Sequence, residues 1–466
     1  MGSPRSLTEG SIARRLLTFV LPILLGNVLQ SVDGSVNSVW IGHFLGEAAL
    51  TASSSANTVL FLLLSALYGA STAASILIGQ YLGAERWYDA KRVVGTSTSF
   101  SVLVAIAMGA LGWAICRPLL VAMSTPAQAL PLAVAYLRIL FIALPFAVLY
   151  ASATSVLRGA GDSKTPLYFL ILNMVLDITL NPLLIFGLGP VPGLGIKGSA
   201  LAGLLAQAIS VVLLIIYLYR RKDPLCLRGN ELGLLRVDWS IVATLVTKGV
   251  PLALQMTVLS LSMVLMITLV NQFGIDTTAA FGAAFQVWIY VQIPTFAICM
   301  AVSSMAAQNI GARKWERVSS TALIGVLYQL ALSIGLVLLV EALGTRVLGL
   351  FLPQASSALQ IALHLNRIGS WSFVFFGTSL VLFGVVRANG AVIVPLLILT
   401  LTMVGVRFFL ALVLLDSLKA DAIWWSLVLS SLISAILAVV YYKRGRWREG
   451  LILEPKKIGR CLPSCK

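Results

Sequence analysis

Charged side chains are scarce. They make up 11% of the 466 residues, against roughly 25% in soluble globular proteins. A soluble fold of this size would have to cover its surface with apolar groups, so a soluble enzyme is excluded. Histidine occurs twice, and the five cysteines are Cys116, Cys226, Cys299, Cys461 and Cys465. Cys461 and Cys465 are close together in the tail, but no His or further Cys accompanies them, so no metal site and no cofactor is expected. The alternation over about 10 residues that marks membrane barrel strands is also missing. Continuous apolar runs of about 20 residues or more take its place, and these read as spanning helices.

What is there is oil. Hydrophobic residues make up 59% of the chain and the mean hydropathy is +0.96. Twelve apolar segments run approximately over 15–41, 48–80, 93–116, 132–156, 166–187, 196–219, 240–272, 279–309, 318–343, 359–386, 393–415 and 421–442. Tilt, or extension past the bilayer, absorbs their excess length. The first run shows no small-residue cleavage pattern, so it is expected to be a span rather than a removable leader. With the N-terminus cytoplasmic, the inside segments hold 25 Lys and Arg, and the outer loops hold four: Arg117, Lys197, Arg346 and Lys419. That asymmetry predicts that both termini are cytoplasmic. It also accounts for the net charge of +16, which in a soluble chain would point to nucleic acid; no nucleic-acid partner is expected here.

The chain repeats itself. Pro22 pairs with Pro251, Arg138 with Arg367, Arg158 with Arg387, Gly161 with Gly390 and Pro166 with Pro395, all at an offset of 229. Gly46 pairs with Gly274, and GQYLGAERW (79–87) with AQNIGARKW (307–315), at 228. Six spans per repeat is an even number, so both halves start on the same side and are related by an axis along the membrane normal. The expected fold is an all-α membrane protein with 12 transmembrane helices in two six-helix lobes related by a parallel repeat. The divisions are an N-tail (1–14), an N-lobe (15–219), a basic inter-lobe linker (220–239), a C-lobe (240–442) and a basic C-tail (443–466). A monomer in the plasma membrane, the inner membrane of a bacterium, is expected.

A charge at the bilayer centre costs roughly 2.5–3.5 kcal/mol even on the lenient scale. Of the 17 acids, Asp33 and Asp177 alone fall within spans, and Glu341 is the nearest miss at the end of the ninth. At about 100° per residue, Asn27, Gln30, Asp33, Gly34 and Asn37 share a face of the first helix, and Asn173, Asp177 and Asn181 share a narrower face of the fifth. Pro182 removes a backbone hydrogen bond next to Asn181. Interhelical hydrogen bonding is one use for such carboxylates, and carrying a coupling ion is the favoured one. Burial favours the neutral form of an acid, so Asp33 and Asp177 can exchange a proton near neutral pH. They can equally hold Na⁺ with amide oxygens from Asn37, Asn173 and Asn181.

Other features are weaker. Met256, Met263, Met266, Met300 and Met305 lie on the seventh and eighth spans near Trp288 and Tyr290. They read either as an adaptable wall for varied ligands or as ordinary packing. Gln30, Gln255, Met256, Trp288, Tyr290 and Arg407 are the candidates for a substrate cleft. Arg407 has no mate in the repeat, and either faces the cleft or snorkels to an edge.

The motifs NSVWIGHFLG (37–46), GQYLGA (79–84), LRGAGDSKTP (157–166) and NPLLIFGLG (181–189), with VRANG (386–390) and the shared repeat, resemble the multidrug and toxic compound extrusion (MATE) family over nearly the whole chain. The DinF-like branch is the most similar; some other branches carry a Glu in the seventh span, where this chain reads GVPLALQMTVLSLS (249–262). The resemblance implies an exporter, not an enzyme, working by alternating access, in which uptake of H⁺ or Na⁺ drives efflux of small organic, often cationic, compounds. One departure stands out. DinF-like members usually have Asp at the places of Asn37 and Asn181, whereas here the carboxylates sit four residues earlier, at Asp33 and Asp177. Both acids are thereby displaced by about one helical turn in the same direction, and the two shifts are expected to be linked.

Three rivals remain at this point. A lipid-linked oligosaccharide flippase of the same superfamily would be expected to carry several cations in its cleft, and here only Arg407 is a candidate. A membrane-embedded lipid-modifying enzyme would need a nucleophile, metal cluster or polar catalytic loop, and no His-rich or paired-acid motif of that kind occurs. A channel is argued against by the two-lobe repeat with buried acids.

Overall fold

The computed structural model describes residues 6–188, 191–353 and 356–449. In lipid every backbone N–H and C=O must be satisfied within its own segment, and the apolar runs fold accordingly as long helices. These are α1 (Ile12–Leu45), α2 (Glu47–Gly83), α3 (Trp87–Ala122), α4 (Leu130–Gly159), α5 (Lys164–Phe186) and α6 (Ile196–Arg220). The second half continues with α7 (Trp239–Val270), α8 (Ile275–Gly311) and α9 (Trp315–Ala342), then a short α10 (Gly344–Leu348). It ends with α11 (Ser357–Gly369), α12 (Ser372–Ala388), α13 (Ile393–Leu399), α14 (Arg407–Leu418) and α15 (Asp421–Arg444). A two-residue antiparallel pair, β1 (Gly187–Leu188) with β2 (Val191–Pro192), joins α5 to α6.

Eleven described helices are long and apolar enough to cross a membrane, and the bent pair α11–α12 makes a twelfth. The protein is an integral, multi-pass membrane protein. Outward-facing Leu111, Leu323, Leu397 and Phe409 are exposed, as suits a surface solvated by acyl chains.

Two spans differ from the sequence expectation. The tenth, read as one run over 359–386, bends by 41° between α11 and α12. The Trp288 indole packs there so closely that a Cβ on Gly369 would lie 2.7 Å from it, and Ser370–Trp371 form the joint. The eleventh, read as continuous over 393–415, contains a π-helical stretch at Thr400–Val406, immediately before Arg407.

The internal repeat is visible in the backbone. Gly46 and Gly274 take φ of +85° and +91°, and Gly161 and Gly390 take +85° and +86°. These are left-handed positions that glycine adopts without a Cβ penalty. The first six helices pack mainly on one another (α3 and α6 on α4, α5 on α6, α1 on α5), and the later ones do likewise (α8 on α9, α11 and α12; α15 on α12 and α14). The halves meet where α2 lies along α7 and α8, and where α1 lies along α8. The segment between them is held to α3. Lys91 Nζ donates to Glu231 at 2.7 Å, Arg92 pairs with Asp238, and a Cβ on Gly95 would lie 2.2 Å from the Leu234 carbonyl oxygen.

Candidate functional site

The polar stripe of α1 opens on a cavity of about 450 Å³ enclosed by α1, α2, α4 and α5 and closed by α8 and α12. Asn27, Gln30 and Asp33 face it from α1, Asn173 from α5 and Gln207 from α6. The i, i+3, i+6 spacing on α1 is what brings the first three to one side. Asp177 and Asn181 continue the stripe of α5 beyond Asn173, and both are buried. Asn181 Nδ2 donates to Asp177 Oδ2 at 3.1 Å and to the Asp177 carbonyl at 3.0 Å. One turn past Asp33, Asn37 accepts from Ser199 Oγ at 2.9 Å. The buried Tyr136 side chain lies beside Asn37, Asn57 and Ser199. Asp33 and Asp177 are close enough for the charge of one to act on the other.

Within this cluster four buried acceptors have no hydrogen-bond partner: Oδ1 of Asp33, Asn173, Asp177 and Asn181. Buried polar atoms are rarely left in that state, because an unmade hydrogen bond in a low-dielectric setting is costly. All four are oxygens, all accept, and two belong to carboxylates. What such a set lacks is positive charge: a proton on a carboxylate, or a hard cation that takes oxygen ligands. At Gly203 α6 passes Asp177 with no side chain, and a Cβ built there would lie 3.6 Å from Asp177 Oδ1.

A second cavity, of about 400 Å³, lies in the other half between α7, α8, α12 and α15. Its walls are aromatic and thioether (Phe285, Trp288, Phe373 and Phe376; Met256 and Met263), and Phe61 of α2 borders it. Arg407 and Ser431 bring polarity to it.

Of the residues chosen from sequence, Asp33, Asn173 and Gln30 line the first cavity, and Asp177, Asn181 and Asn37 extend its polar stripe. Met256, Trp288 and Arg407 line the second. Gln255 and Tyr290 line neither cavity. The Gln255 amide is buried and donates to the Val392 carbonyl at 3.4 Å, tying α7 to the start of α13. Tyr290 is 48% exposed and lines neither cavity, because its position turns it to the outer face of α8. The methionines divide as well: Met256 and Met263 face the second cavity and Met300 the first, whereas Met266 and Met305 are core.

Sequence reasoning missed Asn57, Tyr136, Ser199 and Gln207. Asn57 and Gln207 are polar residues inside apolar runs, a signal that was present, while Tyr136 and Ser199 carried none. Arg158 and Arg387, read only as repeat markers, both face the first cavity, and Arg387 donates to Cys299 Sγ. Cys461 and Cys465 lie outside the described residues.

Twelve spans in a repeated pair of bundles, with a carboxylate-bearing chamber in one and an aromatic chamber in the other, define a membrane transporter. The chain belongs to the MatE family, whose model matches residues 22–183 and 251–413, one stretch in each repeat. It is 36% identical over 438 residues to the probable multidrug resistance protein YoeA of Bacillus subtilis (strain 168), covering 94% of each chain. It is 31% identical to the probable multidrug resistance protein YpnP of the same organism, covering 95% of this chain and 97% of that one. A multidrug resistance MATE family transporter of the MOP superfamily, solved in an outward-facing conformation, superposes with a TM-score of 0.87 over 95% of this chain and 98% of its own, at 18% identity.

Proposed function

We propose that this transporter is a secondary active exporter of small organic compounds, driven by the inward movement of H⁺ or Na⁺ through Asp33 and Asp177. The observation that carries the reading is the set of four partnerless acceptor oxygens on Asp33, Asn173, Asp177 and Asn181. Asp177 is buried and Asp33 partly so, and neither makes a salt bridge among the described residues, so a visiting cation or proton would satisfy them. The divisions 1–14, 15–219, 220–239, 240–442 and 443–466 serve as tail, first lobe, linker, second lobe and tail. Both termini are cytoplasmic, the membrane is the plasma membrane, and the unit is a monomer.

In the cycle, a cation from outside neutralises the carboxylate pair. Neutralisation removes the reason for the polar stripes of α1 and α5 to stay hydrated, and it favours a first-lobe packing with lower affinity for the cargo, which leaves outward. The cation must prefer that packing by several kcal/mol to shift the population fully. The residues around the pair have distinct roles. Asn181 orients Asp177 through its amide, Asn37 and Tyr136 anchor the neighbouring turn, and Asn173 adds an acceptor on the cavity side.

The test is dye efflux from vesicles reconstituted with the full chain under an imposed pH or Na⁺ gradient. Asp33→Asn and Asp177→Asn are each expected to abolish gradient-driven efflux. Undiminished efflux in both contradicts the reading.

A further inference from the structure

We propose that the second cavity binds an anionic group carried on an aromatic body, with Arg407 as its counter-charge. The inference rests on the exporter reading only in taking the bound molecule to be cargo.

Arg407 sits near the middle of the span Ile393–Leu418 and is 6% exposed. Its guanidinium is held entirely by neutral groups. Nε donates to Ser430 Oγ at 2.9 Å, Nη1 to Ser262 Oγ at 3.0 Å, and Nη2 to Met403 Sδ at 2.9 Å and Ser431 Oγ at 3.4 Å. Among the described residues no carboxylate pairs with it or acts on its charge. A guanidinium does not discharge itself by losing a proton, so the fold keeps a full positive charge in the bilayer interior without an opposite one. Hydroxyls and a thioether fix its orientation but leave the charge unmet. The helix is also distorted to present it, since the π-helical stretch Thr400–Val406 ends at this residue, and such stretches collect at functional sites.

The rest of the cavity says what carries the anion. Phe285, Trp288, Phe373 and Phe376 offer ring faces and edges, Met256 and Met263 yield to varied shapes, and Ser431 adds a hydroxyl beside the guanidinium. Among the described residues no acid lines this cavity. The two chambers therefore differ in make-up: Asp33 faces the first together with Arg158 and Arg387, whereas Arg407 is the one charged group among the described residues of the second. An aromatic carboxylate, sulfonate or phosphate fits the second chamber, and a purely cationic compound meets repulsion there.

The experiment uses the full chain in phosphatidylcholine nanodiscs with no ion gradient, so its outcome is independent of coupling. Two probes share one aromatic body: anilinonaphthalene sulfonate, and phenylnaphthylamine, which lacks the sulfonate. Binding is followed by energy transfer from tryptophan. The wild type is expected to favour the sulfonate by about tenfold or more, as for a charge-assisted hydrogen bond made in a dry site. Arg407→Gln is expected to erase that preference by weakening the sulfonate more than the neutral probe, and Arg407→Lys to keep part of it. Met263→Trp fills the cavity with Arg407 intact and is expected to weaken both probes, which keeps the test decisive if Arg407→Gln fails to fold. Equal affinities in the wild type, an anion preference that survives Arg407→Gln, or two probes indifferent to Met263→Trp each overturn the proposal. Loss of gradient-driven efflux in the carboxylate variants bears on the coupling reading alone.

Discussion

Gln80 and Gln308 make the same bond from opposite halves of the chain. Gln80 Nε2 donates to the carbonyl of Ala388 at 2.6 Å, and Gln308 Nε2 donates to the carbonyl of Gly159 at 2.9 Å. Donors and acceptors are both related by the repeat. Beside them α2 and α8 cross backbone to backbone: a Cβ on Gly83 would lie 1.9 Å from the Gln308 carbonyl oxygen, and a Cβ on Gly311 would lie 1.9 Å from that of Gln80. The symmetry is broken by the N-terminal segment, whose Leu7 N–H donates to Gln308 Oε1 at 2.9 Å, while Gln80 Oε1 has no partner. Ser303 and Ser304, on α8 shortly before this crossing, line the first cavity.

Gly311→Val forces that crossing apart, because the obstacle is backbone and does not rotate away. Overpacking of this kind typically costs about 1–3 kcal/mol. The expected outcome is a shift toward a state open at this crossing, read as faster labelling of Ser304→Cys by a water-soluble maleimide. Unchanged labelling in the folded variant would mean that the crossing is not a gate.

The register of the acids is expected to matter as a pair. Moving one carboxylate back by a turn (Asp33→Asn with Asn37→Asp, or Asp177→Asn with Asn181→Asp) separates two groups that act on each other. Each single-helix exchange should reduce gradient-driven efflux by about tenfold or more, the scale of losing one charge-assisted contact. Both exchanges together should restore it. Intact transport after one exchange alone removes the linkage.

Gly203 is expected to guard access to Asp177. Gly203→Leu places a side chain at the position whose Cβ would lie 3.6 Å from Asp177 Oδ1. It should raise the cation concentration that gives half-maximal efflux while leaving substrate binding at the aromatic cavity unchanged. Ion dependence identical to wild type argues that Oδ1 of Asp177 is not a contact for the ion.

The linker clasp should be acid-sensitive. The hydrogen bond from Lys91 holds the Glu231 carboxyl below its usual range, and those from Ser240 and then Arg92 do the same for Asp238. A lowered folded-state value means that the contribution is present above the ordinary carboxylate value of about 4 and is lost as pH falls through the folded one. Both pairs are exposed enough for solvent to screen them, so the effect is local. Proteolytic nicking of 220–239 should speed up below about pH 4 and should do so at neutral pH in Asp238→Ala, which also loses the N-cap of α7. A nicking rate flat with pH contradicts the clasp.

The spans were legible because lipid imposes one rule on all of them, and the repeat because Arg158, Gly161 and Pro166 recur at one offset. Asp33 and Asp177 stood out because a charge inside an apolar run is costly and so rarely incidental. The parts that were not legible depend on neighbours distant in sequence. The bend follows Gly369, whose missing side chain leaves room for Trp288, 81 residues earlier. The π-helical stretch before Arg407 leaves no mark on hydropathy. Tyr290 and Gln255 looked alike from sequence, as polar groups in spans, yet small differences in helical phase put one on the outside and the other against the Val392 carbonyl.

The central claim is that the carboxylate pair carries the cation which cargo displaces. It is tested most directly by adding an exported dye to the purified full chain in weakly buffered solution, and recording the H⁺ or Na⁺ released. The wild type is expected to release cation as dye binds, and the doubly substituted Asp33→Asn, Asp177→Asn protein to bind dye and release none. Equal release from both proteins would contradict the account.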